Sequence, residues 1–214
     1  DEAMGFCLFN NVAIGARYAQ RHHVCRKVLI VDFDAHHGNG TQKSFYSSPQ
    51  VLYVSTHQYP YYPGTGSIDE VGEGKGAGYT VNIPLQGGQG DADYLKIFRE
   101  IILPIADEYQ PQFVLISAGY DPYYLDPLGA MQVTPDGFSA MTLLLMQCAE
   151  NYCGGKLLIT LEGGYHLDGI TESAKKTLLA LIQGRGVSAN EKVTDSTECS
   201  THTCQVIKTV KKIH

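Results

Sequence analysis

No run of apolar residues in the 214-residue sequence approaches the ~18 that a membrane-crossing helix requires. The longest, Ile101-Ile-Leu-Pro-Ile-Ala106 and Met141 to Met146, are far shorter, so no membrane partner is expected. The start of the chain lacks the basic and apolar regions of a secretory leader. It lacks an initiator methionine as well, and Asp1-Glu-Ala-Met-Gly-Phe-Cys7 reads as the interior of something longer. Positive charge is scarce: 16 Lys and Arg against 22 Asp and Glu leave a net charge of −6. That balance speaks against a direct nucleic-acid partner. From Arg185 onward, five basic residues outnumber three acidic ones, a mild excess that reads as solvated surface.

The six cysteines include no Cys-x-x-Cys pair. Cys148 falls in an apolar helical pattern, where a thiol behaves as a small core residue. Cys199-Ser-Thr-His202-Thr-Cys204 has metal-ligating residue types, but its polar setting favours incidental cysteines. With no secretion signal, reduced thiols and a cytoplasmic location are expected. No repeat of fixed period occurs. What is present is 43% hydrophobic residues and only 18% charged ones. That is the balance of a folded protein with a sizeable core and without disulfide staples.

Five short β-branched runs stand out: residues 27–33, 51–56, 79–84, 113–117 and 157–161. Several are apolar without alternation, as strands buried on both faces of a parallel sheet must be. Helical spacing separates them at residues 9–22, 91–109, 135–152 and 168–183, with Asp91 as an expected N-cap and Pro135 in a first turn. Alternation of helix and strand predicts an α/β fold with a mainly parallel sheet flanked by helices. The core is expected to span residues 1–184. Residues 185–214 read as a polar loop and C-terminal segment of the same domain, with 186–204 as loop.

Ligands of such sheets bind beyond the carboxyl ends of the strands. There the sequence places Asp32-Phe-Asp34-Ala-His36-His37-Gly, then Ser55-Thr56-His57, then Asp121 to Asp126, then Glu162-Gly-Gly-Tyr165. Little of this kind precedes the strands. In an extended chain Asp32, Asp34 and His36 project to one side. Two carboxylates so close repel unless a cation lies between them. The pattern invites a divalent metal on Asp34 and His36, with Asp126 as a third ligand. One imidazole and two carboxylates suit zinc, and also Fe(II) or Mn(II), with a coordination position left open for chemistry.

The segment Phe33-Asp34-Ala-His36-His37-Gly-Asn39-Gly40-Thr-Gln42 resembles the metal loop of the histone deacetylase family. Four more blocks follow that family's pattern in order: Gly5-Phe6-Cys7-Leu-Phe-Asn10-Asn11, Pro63-Gly-Thr-Gly66, Ser117-Ala-Gly-Tyr-Asp121 with Asp126-Pro-Leu-Gly129, and Leu161-Glu-Gly-Gly-Tyr165. The resemblance spans residues 4 to about 184 and is nearest to class II and bacterial deacetylase-like members. It implies the arginase/deacetylase fold and zinc-dependent hydrolysis of the acetyl amide of an acetylated lysine in a protein, or of an acetylated polyamine. It implies one zinc on Asp34, His36 and Asp126, and Tyr165 as donor to the oxyanion. Gly5, Phe6, Tyr62 and Gly164 would line the substrate tunnel. Asp32 and Asn39 would stand behind the metal as partners of histidine bases.

A potassium ion is implied at Asp32, Asp34, His36, Ser55 and Thr56, and a second near Phe45, Ser48, Val51 and Tyr79. The family's His-His base lies upstream of Gly5, before the first residue here, so slow catalysis by these 214 residues is expected. Neither His22-His23, at the far end of the sheet, nor His37, His57 or His166 is expected to replace it. A ureohydrolase-like binuclear site is disfavoured, because Gly38 stands where a bridging carboxylate would be needed. A non-catalytic acetyl-lysine binder remains open. Gly72-Glu-Gly74-Lys-Gly76-Ala-Gly78 precedes a strand and reads as a surface loop, not a phosphate cradle.

Overall fold

The computed structural model describes residues 3–184 and 198–214. Five strands form one wholly parallel sheet: β1 (Val28–Asp32), β2 (Val51–Gln58), β3 (Thr80–Leu85), β4 (Phe113–Ala118) and β5 (Leu157–Leu161), in spatial order β3-β2-β1-β4-β5. All five coincide, to within two residues at either end, with the β-branched runs. β1 is buried throughout, as its unbroken apolar sequence requires. Successive β1 side chains serve opposite faces. Leu29 and Val31 join Phe33 in the larger core, while Val28 and Ile30 join Val12, Ala16, Tyr53 and Leu115 in the smaller one.

The helices are α1 (Asn11–His22), α2 (Asn39–Phe45), α3 (Asp91–Ile97), α4 (Leu103–Tyr109), α5 (Pro135–Cys153), α6 (Leu167–Gln183) and α7 (Thr201–Ile213). The expected single helix over residues 91–109 is divided by a π-helical turn at Phe98–Ile102. Pro104 explains it: the ring cannot sit against an ordinary preceding turn, and a widened turn gives it room. The expected cap Asp91 is instead the first helical residue after Gly90. Its carboxylate accepts hydrogen bonds from the backbone N–H and hydroxyl of Thr134, at 2.8 and 2.6 Å, and so ties α3 to α5. Two helices were not expected. α2 is short and carries no apolar period. α7 begins in residues read as loop and runs on through the expected C-terminal segment: the Ser200 hydroxyl accepts from the Thr203 N–H and caps a helix that buries Val206, Ile207 and Val210. The rest of that expected loop, residues 186–197, lies outside the described residues. Residues 72–78 are a loop with a single 3₁₀ turn before β3, in line with the expectation. Among the described residues no helix is long and apolar enough to cross a membrane.

The topology fixes where a ligand can bind. From β1 the chain moves to β2 and β3 on one side, and after α4 it re-enters as β4 on the other side and continues to β5. The loops leaving β1 and β4 therefore part company, and a crevice opens at the carboxyl ends of these two neighbours. Asp32 is paired in register with Ser117 there. Phe33, fully buried, forms the floor, with its ring 5.8 Å from Phe138 and 6.5 Å from Tyr120. Phe33→Ala is expected to lower stability by about 3–5 kcal/mol, a value set by lost burial and the cavity left behind. Urea denaturation of the two proteins measures it, and a loss below 1 kcal/mol (roughly) would show that the floor collapses around the gap.

Candidate metal centre

β1 ends at Asp32, and the chain then curls instead of staying extended. The Asp34 N–H donates to Asp32 Oδ1 (3.2 Å), and the His36 N–H donates to Asp34 Oδ1 (2.8 Å). These are Asx turns, in which each carboxylate holds the backbone two residues on. The expected common direction for Asp32, Asp34 and His36 therefore fails for Asp32. That residue is buried on the α1 side, where Oδ2 accepts from the Tyr53 hydroxyl at 2.9 Å. Asp34 and His36 turn toward the β4 loop.

There they meet Asp121. Ligand-type atoms of Asp34, His36 and Asp121 all lie within 4.8 Å of one another, the one such group among the described residues. His36 Nδ1 is 2.8 Å from Asp121 Oδ2 and 3.2 Å from Asp34 Oδ1. Asp121 also accepts from the Ala35 N–H at 2.8 Å and is fully buried. Asp126, expected as the third ligand, is outside this group. Its Oδ2 accepts from the N–H groups of Tyr165 (2.7 Å) and His166 (3.1 Å), and its Oδ1 from that of Leu128 (2.9 Å). Asp126 thus fixes the turn that carries Tyr165. Asp121 was passed over because it and Asp126 are the same residue type in one loop, and only the turns between them show which carboxylate reaches His36.

The backbone is shaped around these groups. A Cβ on Gly119 would run into the Asp34 carboxylate. One on Gly163 would sit 2.5 Å from Asp121 Oδ2 and 2.7 Å from Asp34 Oδ2. The Gly163 N–H instead donates to Asp34 Oδ2 at 3.0 Å. Gly164 has φ +135°, which only glycine holds without strain.

Electrostatically the crevice crowds acids together. Burial, then the charge of Asp34, pushes Asp121 up to about 7 against the opposing bond from His36. Burial and Asp34 likewise raise Asp32 well above the carboxylate range and raise Glu162, a half-buried acid the sequence reading did not select. Burial opposes charge on His36, but its bonds to Asp121 and Asp34 prevail and lift it to about 10. The donor set of two carboxylates and one imidazole fits a divalent metal such as zinc. A cation there would relieve the mutual repulsion of the acids.

The expected tunnel residues gather above this group. The Gly5 N–H donates to the Tyr62 hydroxyl at 3.3 Å. The Tyr62 ring lies edge-on to His36 at 6.2 Å, and Phe6 lies edge-on to Tyr165 at 5.9 Å. Tyr61, not selected from sequence, stacks on His36 at 5.5 Å; it is the adjacent tyrosine of the same proline-flanked loop. Burial, and then the charges of Asp121, Asp34 and Asp126, push the Tyr165 phenol up to about 12, so it keeps its proton.

The other expected residues have partners of their own. Asn39 donates to Met4 Sδ at 3.3 Å. At the first implied potassium position Ser55 pairs with Asp32 across the sheet, and the Thr56 hydroxyl donates to the Asp32 carbonyl at 3.4 Å. Ser55 Oγ itself lies 2.9 Å from His57 Nδ1. At the second, the Phe45 and Tyr79 carbonyls accept from the N–H groups of Ser48 and Tyr53. His37 turns from the crevice to Thr65 and Gln42, at 2.7 and 2.9 Å. His166 caps α6 by accepting from the Gly169 N–H. His57 is held between Ser55 and the Gly66 carbonyl. His22 ends α1 beside the entry to β1, at the opposite edge.

A parallel α/β sheet with an Asp–His–Asp group at its switch point is the architecture of the arginase/deacetylase fold. The profile of the family described as "Histone deacetylase domain" matches residues 1–181, and the chain belongs to that family. It is 46% identical over 179 residues to "Histone deacetylase 14, chloroplastic" of Arabidopsis thaliana, covering 84% of this chain and 42% of that protein. It is 44% identical over 185 residues to a "Probable deacetylase" of Archaeoglobus fulgidus, covering 86% of this chain and 51% of that one. Its fold is similar to the crystal structure of the HDA15 HD domain, with a TM-score of 0.88 and 45% identity over 99% of this chain and 56% of that one. The histone deacetylase Clr3 gives 0.86 and 41%, over 96% and 34%. The chain thus spans about half the length, or less, of these relatives.

His57 makes a pH dependence visible. Burial, then the neighbouring His37, holds it down to about 3. An unfolded histidine takes its proton near pH 6.5, so between these values the unfolded state binds more protons and stability falls as pH falls. The expected slope from this residue is about 1.4 kcal/mol per pH unit at most. Denaturation at pH 7 and pH 5 should show a smaller loss in His57→Gln than in the parent. Equal losses would mean that His57 is protonated in the folded chain.

Proposed function

We propose that this chain carries the catalytic centre of a zinc-dependent deacetylase that hydrolyses the acetyl amide of N-acetyl-lysine in proteins. The convergence of Asp34, His36 and Asp121 beneath the Phe6, Tyr62 and Tyr165 rings supports this reading above all. Asp34 and His36 would hold the metal with one carboxylate of the β4 loop; the resemblance gives that place to Asp126 and the geometry to Asp121. When bound, zinc polarises the amide carbonyl and lowers the pKa of an attacking water.

The protein's own groups do the rest. Phe6 and Tyr62 offer an apolar slot for the methylene stem of an acetylated lysine, which is neutral. The hydrated ammonium of a free lysine gains nothing there. The Tyr165 phenol, protonated at neutral pH, donates to the oxyanion of the tetrahedral intermediate, and Asp126 fixes the backbone that aims it. Asp32 is the residue placed to orient a histidine base behind the site, with Tyr53 holding its carboxyl group. Among the described residues no histidine serves as that base: His36 belongs to the metal group, and His37, His57 and His166 are committed elsewhere. A monovalent cation beside Asp32, Ser55 and Thr56 would further offset the clustered acids.

The test is release of acetate from an acetyl-lysine peptide by the zinc-loaded chain. Turnover is expected to be slow, and Tyr165→Phe should lower kcat a further ~10²-fold or more with KM little changed. An unchanged kcat in that variant contradicts the oxyanion role, and brisk turnover by the parent chain contradicts the absence of a base.

A further inference from the structure

Cys199 and Cys204 have no part in the hydrolysis described above. They flank the start of α7, where Cys199 precedes the capping Ser200 and Cys204 lies in the first turn. These are the N′ and N4 positions, whose side chains meet across a capped helix start and usually form an apolar staple. Here the staple consists of two free thiols with Sγ atoms 2.7 Å apart. Both are half-buried, so small reagents can reach them. A further approach of less than about 1 Å would bring the sulfurs to bonding distance.

The backbone around the pair is fixed. The Ser200 N–H donates to Asp93 Oδ1 (2.8 Å), the Thr203 hydroxyl to Gln89 Oε1 (3.0 Å), and the Gln86 N–H to His202 Nε2 (3.3 Å). These bonds seat the start of α7 on the β3–α3 connection and hold the thiols together whether or not they are joined. Lys96 of α3 lies near both sulfurs, but burial and the neighbouring Cys204 outweigh it and push the Cys199 thiol up to about 11, so the approach of the two sulfurs, and not an activated thiolate, favours their joining. The remaining cysteines differ in setting: Cys25, Cys148 and Cys153 are buried, and Cys7 is exposed.

We propose that Cys199 and Cys204 form a reversible thiol–disulfide site, oxidised by a low-molecular-weight disulfide, that covalently staples the start of α7. One cysteine thiolate attacks the reagent disulfide, forms a mixed disulfide and releases one thiol. The second cysteine, as thiolate, attacks the protein sulfur of that mixed disulfide and expels the other reagent thiol. Two protein thiols are oxidised and one reagent disulfide is reduced to two thiols. The reading differs from an incidental pair of cysteines and from a metal grip, because His202 already accepts from the Gln86 backbone.

The folded chain is treated with glutathione disulfide, its remaining thiols are alkylated with N-ethylmaleimide, and the tryptic peptide Val193–Lys208 is weighed. That peptide holds both cysteines and no internal cleavage site. It should appear unalkylated, about 2 Da below its reduced mass, and recover both alkylation sites after reduction. Cys204→Ser should instead trap glutathione on Cys199. A doubly alkylated peptide under conditions that modify Cys7, or glutathione stably bound to either thiol of the parent, overturns the proposal.

Discussion

Mutual repulsion among buried carboxylates at one sheet edge governs this molecule. Asp32, Asp34, Asp121 and Glu162 crowd the ends of β1, β4 and β5, and burial, with the charge of Asp34, makes Asp32, Asp121 and Glu162 costly to ionise. Hydrogen bonds relieve part of the strain. Tyr53 serves Asp32, the Gly163 backbone serves Asp34, and His36 lies between Asp34 and Asp121. An imidazolium is a poor permanent solution, since one proton must neutralise several acids. A divalent cation neutralises more of them, and the oxygen and nitrogen donors are the types such an ion prefers.

The fold serves this arrangement at each level. A continuous apolar sequence buries β1 in the middle of the sheet, so its last residue reaches the crevice on a rigid support. Departure of the chain to opposite sides after β1 and β4 keeps the space above open. Asx turns bend the β1 loop so that Asp34 and His36 face β4, and glycines at 119 and 163 let the backbone close in without side chains that would collide. Behind the loop, His37, Gln42, Glu70 and Asn82 form a hydrogen-bonded layer that joins α2 to the tyrosine-bearing segment. The aromatic walls are thereby tied to the same frame as the acids.

Much of this was legible in the sequence. Two-sided burial wrote β1 to β4 as apolar runs, the edge strand β5 being apolar but only partly buried, and the crowd of titratable residues after the strands marked the functional edge. Tyr165, Phe6 and Tyr62 were selected through the family's blocks, and in the structure Tyr62 lies edge-on to His36 and Phe6 edge-on to Tyr165. What was not legible depends on short-range geometry. Periodicity cannot reveal that the chain curls after Asp32, which sends that carboxylate to Tyr53. Nor can it tell Asp121 from Asp126 when both lie in one loop of tight turns. α7 was hidden because its polar first turn looks like a linker until Ser200 is seen to cap it. The π-helical turn likewise shows only in three dimensions, although Pro104 supplies its cause.

The central claim is that the Asp34–His36 group holds one divalent metal, and equilibrium dialysis of the purified chain against zinc, followed by elemental analysis, measures it directly. The account predicts one zinc per chain, with occupancy lost in Asp34→Asn while the far-ultraviolet circular dichroism is retained. No zinc in the parent chain, or full occupancy in that variant, would contradict it.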